Sequence, residues 1–91
     1  MSETVRRRVV VHGSVQGVFF RDTCRRKAGS RGLAGWVTNR PDGAVEAVFE
    51  GEPDAVAALV EWCGHGPRGA DVASVDETSE EPKGLSGFEI R

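Results

Sequence analysis

The pattern of apolar and polar positions divides the chain into short alternating segments. Val5 to His12 is valine-rich and predicts a strand. Arg7, Val9 and Val11 share one face and Arg6, Arg8, Val10 and His12 the other. Residues 13–19 contain two glycines and predict a loop. From Phe20 to Arg31 the period changes. Phe20, Cys24 and Ala28 recur at i, i+4 and i+8, the stripe of a helix that faces a core. Asp22 in the first turn suits the positive end of the helix dipole, and Gly32 followed by Leu33 makes a natural stop.

Two further strands are expected at Gly35–Asn39 and Ala44–Glu50, the second with Val45, Ala47 and Phe49 on one side. Between them, Arg40-Pro41-Asp42-Gly43 carries the residues of a tight turn. Pro53 opens a second helix, because its missing N–H would be unpaired at the first helical position in any case. Val56, Leu59, Val60 and Cys63 form its buried stripe and Gly64 ends it. A strand at Val72–Asp76, a polar loop, and a last short strand in which Phe88 and Ile90 alternate with Glu89 and Arg91 complete the chain. The order is β-α-β-β-α-β plus a short terminal strand. An antiparallel sheet with two helices on one face, a ferredoxin-like α/β sandwich of the α+β class, satisfies it. That fold hosts many unrelated activities, so function has to come from a site.

Composition narrows the classes. Ninety-one residues, 38% hydrophobic and 29% charged, fit one globular domain spanning residues 1–91. No apolar run approaches the roughly 20 residues of a membrane span. The start, MSETVRRRVVV, has too short an apolar stretch for a signal-peptide core, so a cytoplasmic protein without a membrane partner is expected. Cys24 and Cys63 lie on the two helical stripes and are expected to be buried thiols, and they make no disulfide framework. With no C-x-x-C pair, and with His12 and His65 standing alone, neither a metal nor any other cofactor is expected.

The net charge of −2 hides an imbalance: residues 1–40 carry +7 and residues 41–91 carry −9. Either the basic half marks an anion-binding region or the two halves interleave and mix their charges. A mildly acidic chain disfavours non-specific nucleic-acid binding.

Two segments can carry chemistry. The first is Gly13-Ser14-Val15-Gln16-Gly17-Val18-Phe19-Phe20-Arg21, a strand-to-helix loop ending in an arginine. Successive N–H groups in such a loop can converge on one anion, the helix N-terminus adds positive potential, and Arg21 can grip the same anion with its fork of donors. No Gly-Lys-Ser/Thr follows, so it is not a Walker loop. The second is Gly35-Trp36-Val37-Thr38-Asn39-Arg40-Pro41-Asp42-Gly43, in which a strand ends in a carboxamide. An asparagine there commonly bonds its own backbone in the turn.

Taken together, the two segments resemble the signature segments of the acylphosphatase family, G-x-V-Q-G-V-x-F-R and G-W-V-x-N-x-x-D-G, at every fixed position and in the same order and spacing. The resemblance runs through nearly the whole chain, including Gly66-Pro67 and the final Phe88-Glu89-Ile90; Arg31, where the family usually has an apolar residue, departs from it. It implies metal-independent hydrolysis of acyl phosphates, small-molecule substrates, to a carboxylate and inorganic phosphate; a monomer is expected. The phosphate would lie in the loop Ser14, Val15, Gln16, Gly17, Val18, Phe19 and Phe20, bound by Arg21. Asn39 would hold the attacking water.

Other chemistries fit less well. A cysteine phosphatase needs an arginine six residues after its cysteine, where this chain has Ser30 and Gly69. An RNA-binding domain of this topology stacks bases on strand aromatics; the first strand has none, and Phe49 falls on the expected core face. A non-catalytic anion-binding module would not need both Arg21 and Asn39. His12 is expected to be structural, and Glu80 and Glu81 to be solvated loop residues.

Overall fold

Valine-rich stretches pair and the two periodic stretches coil in the computed structural model, which describes residues 3–91. The elements are β1 (Val5–Ser14), α1 (Phe20–Ser30), β2 (Ala34–Asn39), β3 (Val45–Gly51), α2 (Pro53–Cys63), β4 (Asp71–Glu80) and β5 (Phe88–Ile90). They form one five-stranded sheet in the order β4-β1-β3-β2-β5. The expected ferredoxin-like arrangement holds for the first four strands, which pair antiparallel. The short terminal strand is added at the edge: β5 joins the outer side of β2 in parallel, so the sheet as a whole is mixed.

The core lies between sheet and helices. Val9, Val11, Val37, Val45, Ala47 and Phe49 meet Phe20, Cys24 and Ala28 of α1 and Val56, Leu59 and Cys63 of α2, all 0–2% exposed. Phe20 packs on Trp62 with ring centroids 5.0 Å apart, and Phe49 stacks on Phe88 at 5.6 Å, fixing β5 to the sheet. Both cysteines are buried free thiols. Contact with Cys24, then burial, pushes the Cys63 thiol well up. The C-terminus of α1 closes as its Gly-Leu pair predicts. Gly32 takes φ 69°, its N–H bonds Gly29 O at 3.1 Å, and the Leu33 N–H bonds Ala28 O at 3.0 Å. Arg31 is exposed, so its departure from the apolar pattern costs the core nothing.

One element is twice as long as expected. The strand anticipated at residues 72–76 runs from Asp71 to Glu80, and Glu80 belongs to it, not to a loop. Its second half, Glu77-Thr78-Ser79-Glu80, carries no apolar signal because charge takes the place of burial there. Glu77 pairs with Arg7 at 2.6 Å, and Glu80 accepts Arg6 Nε at 2.8 Å and Arg8 Nε at 2.7 Å. Arg8 also reaches Glu46, and Arg6 reaches Glu50 at 3.2 Å in a pair 4% and 3% exposed. The basic and acidic halves of the chain therefore interleave across the sheet. Glu50 has a second task. Its carboxylate accepts the backbone N–H groups of Lys83, Gly84 and Leu85 and so ties down the approach to β5. Burial alone would raise its pKa, but these N–H groups and Arg6 outweigh it and hold the carboxyl below its ordinary value.

Hydrogen bonds from Arg8 and Arg6 lower the Glu80 carboxyl from an ordinary value of 4.5 to about 2. A lowered folded-state pKa means that the stabilisation is complete above pH 4.5 and is lost as the pH falls toward 2. Glu80→Gln is therefore expected to lower the urea midpoint at pH 7, with wild type and variant converging as the pH drops to 3. Midpoints that stay equally far apart at both pH values would refute the ion-pair account.

Candidate active site

Strand direction decides where the two signature segments go. Because β3 is antiparallel to both β1 and β2, those two strands run the same way, and Val11 and Asn39 sit opposite the same residue, Val45. The loop after β1 and the turn after β2 thus emerge at one end of the sheet. The parallel β5 ends there too, with Ile90 opposite Val37.

The loop is shaped by two residues in the left-handed region, Gly17 at φ 76° and Phe19 at φ 60°. Glycine adopts that conformation freely, whereas for phenylalanine it is uncommon. Phe19 is the N-cap of α1, and its side chain has no acceptor with which to cap the helix. The first α1-stabilising bond beyond the loop is Thr23 N–H to Phe19 O at 3.0 Å. Among the described residues, and outside the turn at Gln16-Gly17, the backbone N–H groups from Val15 to Asp22 make no backbone hydrogen bond. Free donors at the positive end of a helix can receive an anion.

Arg21 extends from the first turn into solvent and forms no ion pair among the described residues. The neighbouring carboxylate is engaged elsewhere: Asp22 bonds Arg25 at 3.3 Å and Arg26 at 3.2 Å. Asn39 Oδ1 is buried and has no hydrogen-bond partner among the described residues. Asn39 is not the residue that closes the turn. Asp42 Oδ1 accepts the Ala44 N–H at 3.0 Å, and that bond, chiefly, lowers the Asp42 carboxyl. The loop and the turn are stapled together by Gln16, whose Nε2 donates to Arg40 O at 2.8 Å and Ala44 O at 2.9 Å.

Arg21 and Asn39 line a single cavity of about 290 Å³ together with Gly17, Phe19 and Phe20. Val15 contributes at its base, but its side chain is fully buried. Of the remaining loop residues, Ser14 is exposed at the end of β1, paired with Asp71, and Val18 is half-buried beside Trp62; neither borders this cavity. The Gln16 side chain is committed to the turn. His12 lies outside the site and bonds Asp76 at 3.0 Å. The sequence reading missed Asp22 and Ile90, which complete the wall. Ile90 was signalled only by its alternation with Glu89, and nothing in that pattern says which strand β5 will join. Among the described residues no group of three or more His, Cys, Asp or Glu is placed to hold a metal ion, and no helix is long and apolar enough to cross a membrane.

The acylphosphatase family profile matches residues 7–90. An acylphosphatase of Rubrobacter xylanophilus is 57% identical over 91 residues, covering 98% of this chain and 82% of that protein. One of Gloeobacter violaceus is 51% identical, covering 99% and 97%. The solved structure of an acylphosphatase from Coxiella burnetii superposes with a TM-score of 0.92 at 41% identity, over 97% of this chain and 93% of that one. With the signature segments meeting at one cavity and relatives of this similarity along the whole length, the chain belongs to the acylphosphatase family and is an enzyme of that class.

Proposed function

We propose that the cavity holds the phosphoryl group of an acyl phosphate and that hydrolysis proceeds there without a metal ion. The observation that carries this is a conjunction among the described residues: loop N–H groups without backbone partners at the start of α1, an unpaired Arg21, and the orphaned Asn39 Oδ1 around one space. Buried polar atoms are normally satisfied, and an exception calls for a ligand or a function.

In this reading the loop N–H groups and the Arg21 guanidinium bind the phosphate oxygens. They gain strength as charge spreads over the equatorial oxygens in a loose transition state. Asn39 Oδ1 accepts a hydrogen bond from the attacking water and aims its lone pair at phosphorus. An amide oxygen is no strong base, so the water's proton passes to a phosphate oxygen as the P–O bond to the acyl group breaks. The electron pair leaves on a carboxylate, whose conjugate acid has a pKa of roughly 4. Such a leaving group departs without a general acid, which accounts for a site with no histidine in it. The products are a carboxylate and inorganic phosphate. We further infer that residues 1–91 act as one such domain, a monomer in the cytoplasm. The two free buried thiols suit a reducing compartment.

Arg21→Ala is expected to lower kcat/KM for acetyl phosphate by on the order of 10²–10³ and to weaken competitive inhibition by inorganic phosphate in parallel. A folded variant with wild-type activity and phosphate affinity would sink the assignment. Asn39→Ala separates the two jobs. It should reduce kcat strongly while the inhibition constant for phosphate stays near wild type, the mark of an interaction made with the nucleophile. If the variant instead loses about 0.5–1.5 kcal/mol of stability and keeps kcat within a few-fold, Asn39 is a structural residue. Turnover should also survive complete chelation of divalent ions at fixed substrate speciation. Loss of activity restored by magnesium would overturn the metal-free route.

A further inference from the structure

The chain has twelve lysines and arginines against fourteen acidic residues, so cations do not lack partners. Among the described residues, Arg21, Lys27, Arg31, Arg68 and Lys83 nevertheless have no carboxylate partner. Arg21 lines the cavity described above. Lys27, on α1, and Arg68, after α2, meet in a separate cleft of about 460 Å³. Arg26 is the third cation there, and its Nε reaches Asp22 at 3.2 Å. Asp22 is the one carboxylate bordering the cleft, and Arg25 shares it. Trp62 also lines the cleft, but its ring is already engaged. Phe20 packs on it at 5.0 Å, and Lys27 Nζ lies over it, 5.9 Å from the ring centroid. The ring thus anchors the ammonium at the cleft.

Three cations around one concave space, with a single carboxylate that is shared elsewhere, leave an excess of positive charge. One exposed ion pair in water contributes little, whereas several cations converging on one polyanion act as a network. Guanidinium forks match phosphate oxygens, and the ammonium serves as a point charge. We propose that this cleft is a second anion site, separate from the Arg21 cavity, that takes condensed phosphates such as tripolyphosphate, and that filling it weakens substrate binding in the cavity beside it. The coupling comes from a common wall. Phe19 and Asp22 border both spaces, so an anion in the cleft lies close to Arg21 and its charge opposes entry of a second anion. Recognition is by charge: with the Trp62 ring engaged by Phe20 and Lys27, the base of a nucleotide gains no stacking there. The anion site stands independently; only its effect on turnover rests on the acyl phosphate reading given above.

Titration calorimetry in low-salt buffer free of divalent ions measures tripolyphosphate binding to wild type, Arg21→Ala, the double variant Lys27→Gln/Arg68→Gln, and a charge-matched control, Arg31→Gln/Lys83→Gln. All five side chains are exposed, so folding is not at stake. Arg21→Ala and the control are expected to keep the wild-type affinity within about threefold, and the double variant to lose roughly tenfold or more. Saturating tripolyphosphate should raise KM for acetyl phosphate several-fold in wild type and leave it nearly unchanged in the double variant, whose turnover without tripolyphosphate matches wild type. No binding to wild type, equal losses in the double variant and the control, or loss in Arg21→Ala together with displacement by inorganic phosphate would each overturn the second site. Adenosine triphosphate binding about tenfold tighter than tripolyphosphate would overturn recognition by charge alone. A wild-type KM that ignores tripolyphosphate would overturn the coupling. Failure of wild type to hydrolyse acetyl phosphate would instead remove the catalytic reading and leave the calorimetric result standing.

Discussion

Everything at the site depends on one strand being shared. β3 lies between β1 and β2 and pairs antiparallel with both, so a single residue, Val45, faces Val11 on one side and Asn39 on the other. Two segments far apart in the chain are thereby brought to the same end of the sheet by backbone hydrogen bonds. Their register admits no one-residue slip, since a slip would turn the buried Val45, Ala47 and Phe49 away from the helices. Glycine makes the closest part of this packing possible: a Cβ at Gly35, whose φ is 137°, would lie 1.9 Å from Val48 O. The Gln16 carboxamide then joins loop to turn directly through two carbonyls. A rigid scaffold carrying a loop of free donors is what electrostatic catalysis requires, because the donors need not reorganise during the reaction.

Charge is distributed so that Arg21 has no carboxylate partner among the described residues. The three arginines of β1 are matched across the sheet by Glu46, Glu50, Glu77 and Glu80. Asp22, the carboxylate nearest Arg21 in sequence, is drawn to Arg25 and Arg26 on its own helix. Arg21 is thus left unpaired among the described residues. The same division holds for hydrogen bonds. The turn is closed by Asp42, which frees Asn39, and the helix start is capped by a residue that cannot cap, which frees the N–H groups. Polar groups left unsatisfied in this way detract from folding stability.

Helices and inner strands were legible in the sequence because burial on one face imposes a period. Phe20, Cys24 and Ala28, and likewise Val56, Leu59 and Cys63, could be assigned to a core before any partner was known, and both are buried as expected. β4 was half invisible. Its outer residues are held by ion pairs with Arg6, Arg7 and Arg8, and a salt bridge leaves no periodic trace. The chemistry was legible to a different degree. Arg21 and the glycine-bearing loop stood out by local spacing, since a strand–loop–helix unit can present N–H donors at a helix start. The bare sequence of Asn39 left it between a turn residue and a ligand.

The sequence by itself therefore determined the local units: which stretches coil, which extend, where the loop donors lie, and the family whose signatures these segments match. Tertiary structure decided what no local pattern contains. It set the meeting of Asn39 with the loop across β3, the relief of Asn39 from the turn by Asp42, the parallel addition of β5 that brings Ile90 to the cavity, and the pairing of opposite charges 38 to 74 positions apart. Periodicity records the environment of a single face. Partner, direction and register are fixed only when all faces are buried together.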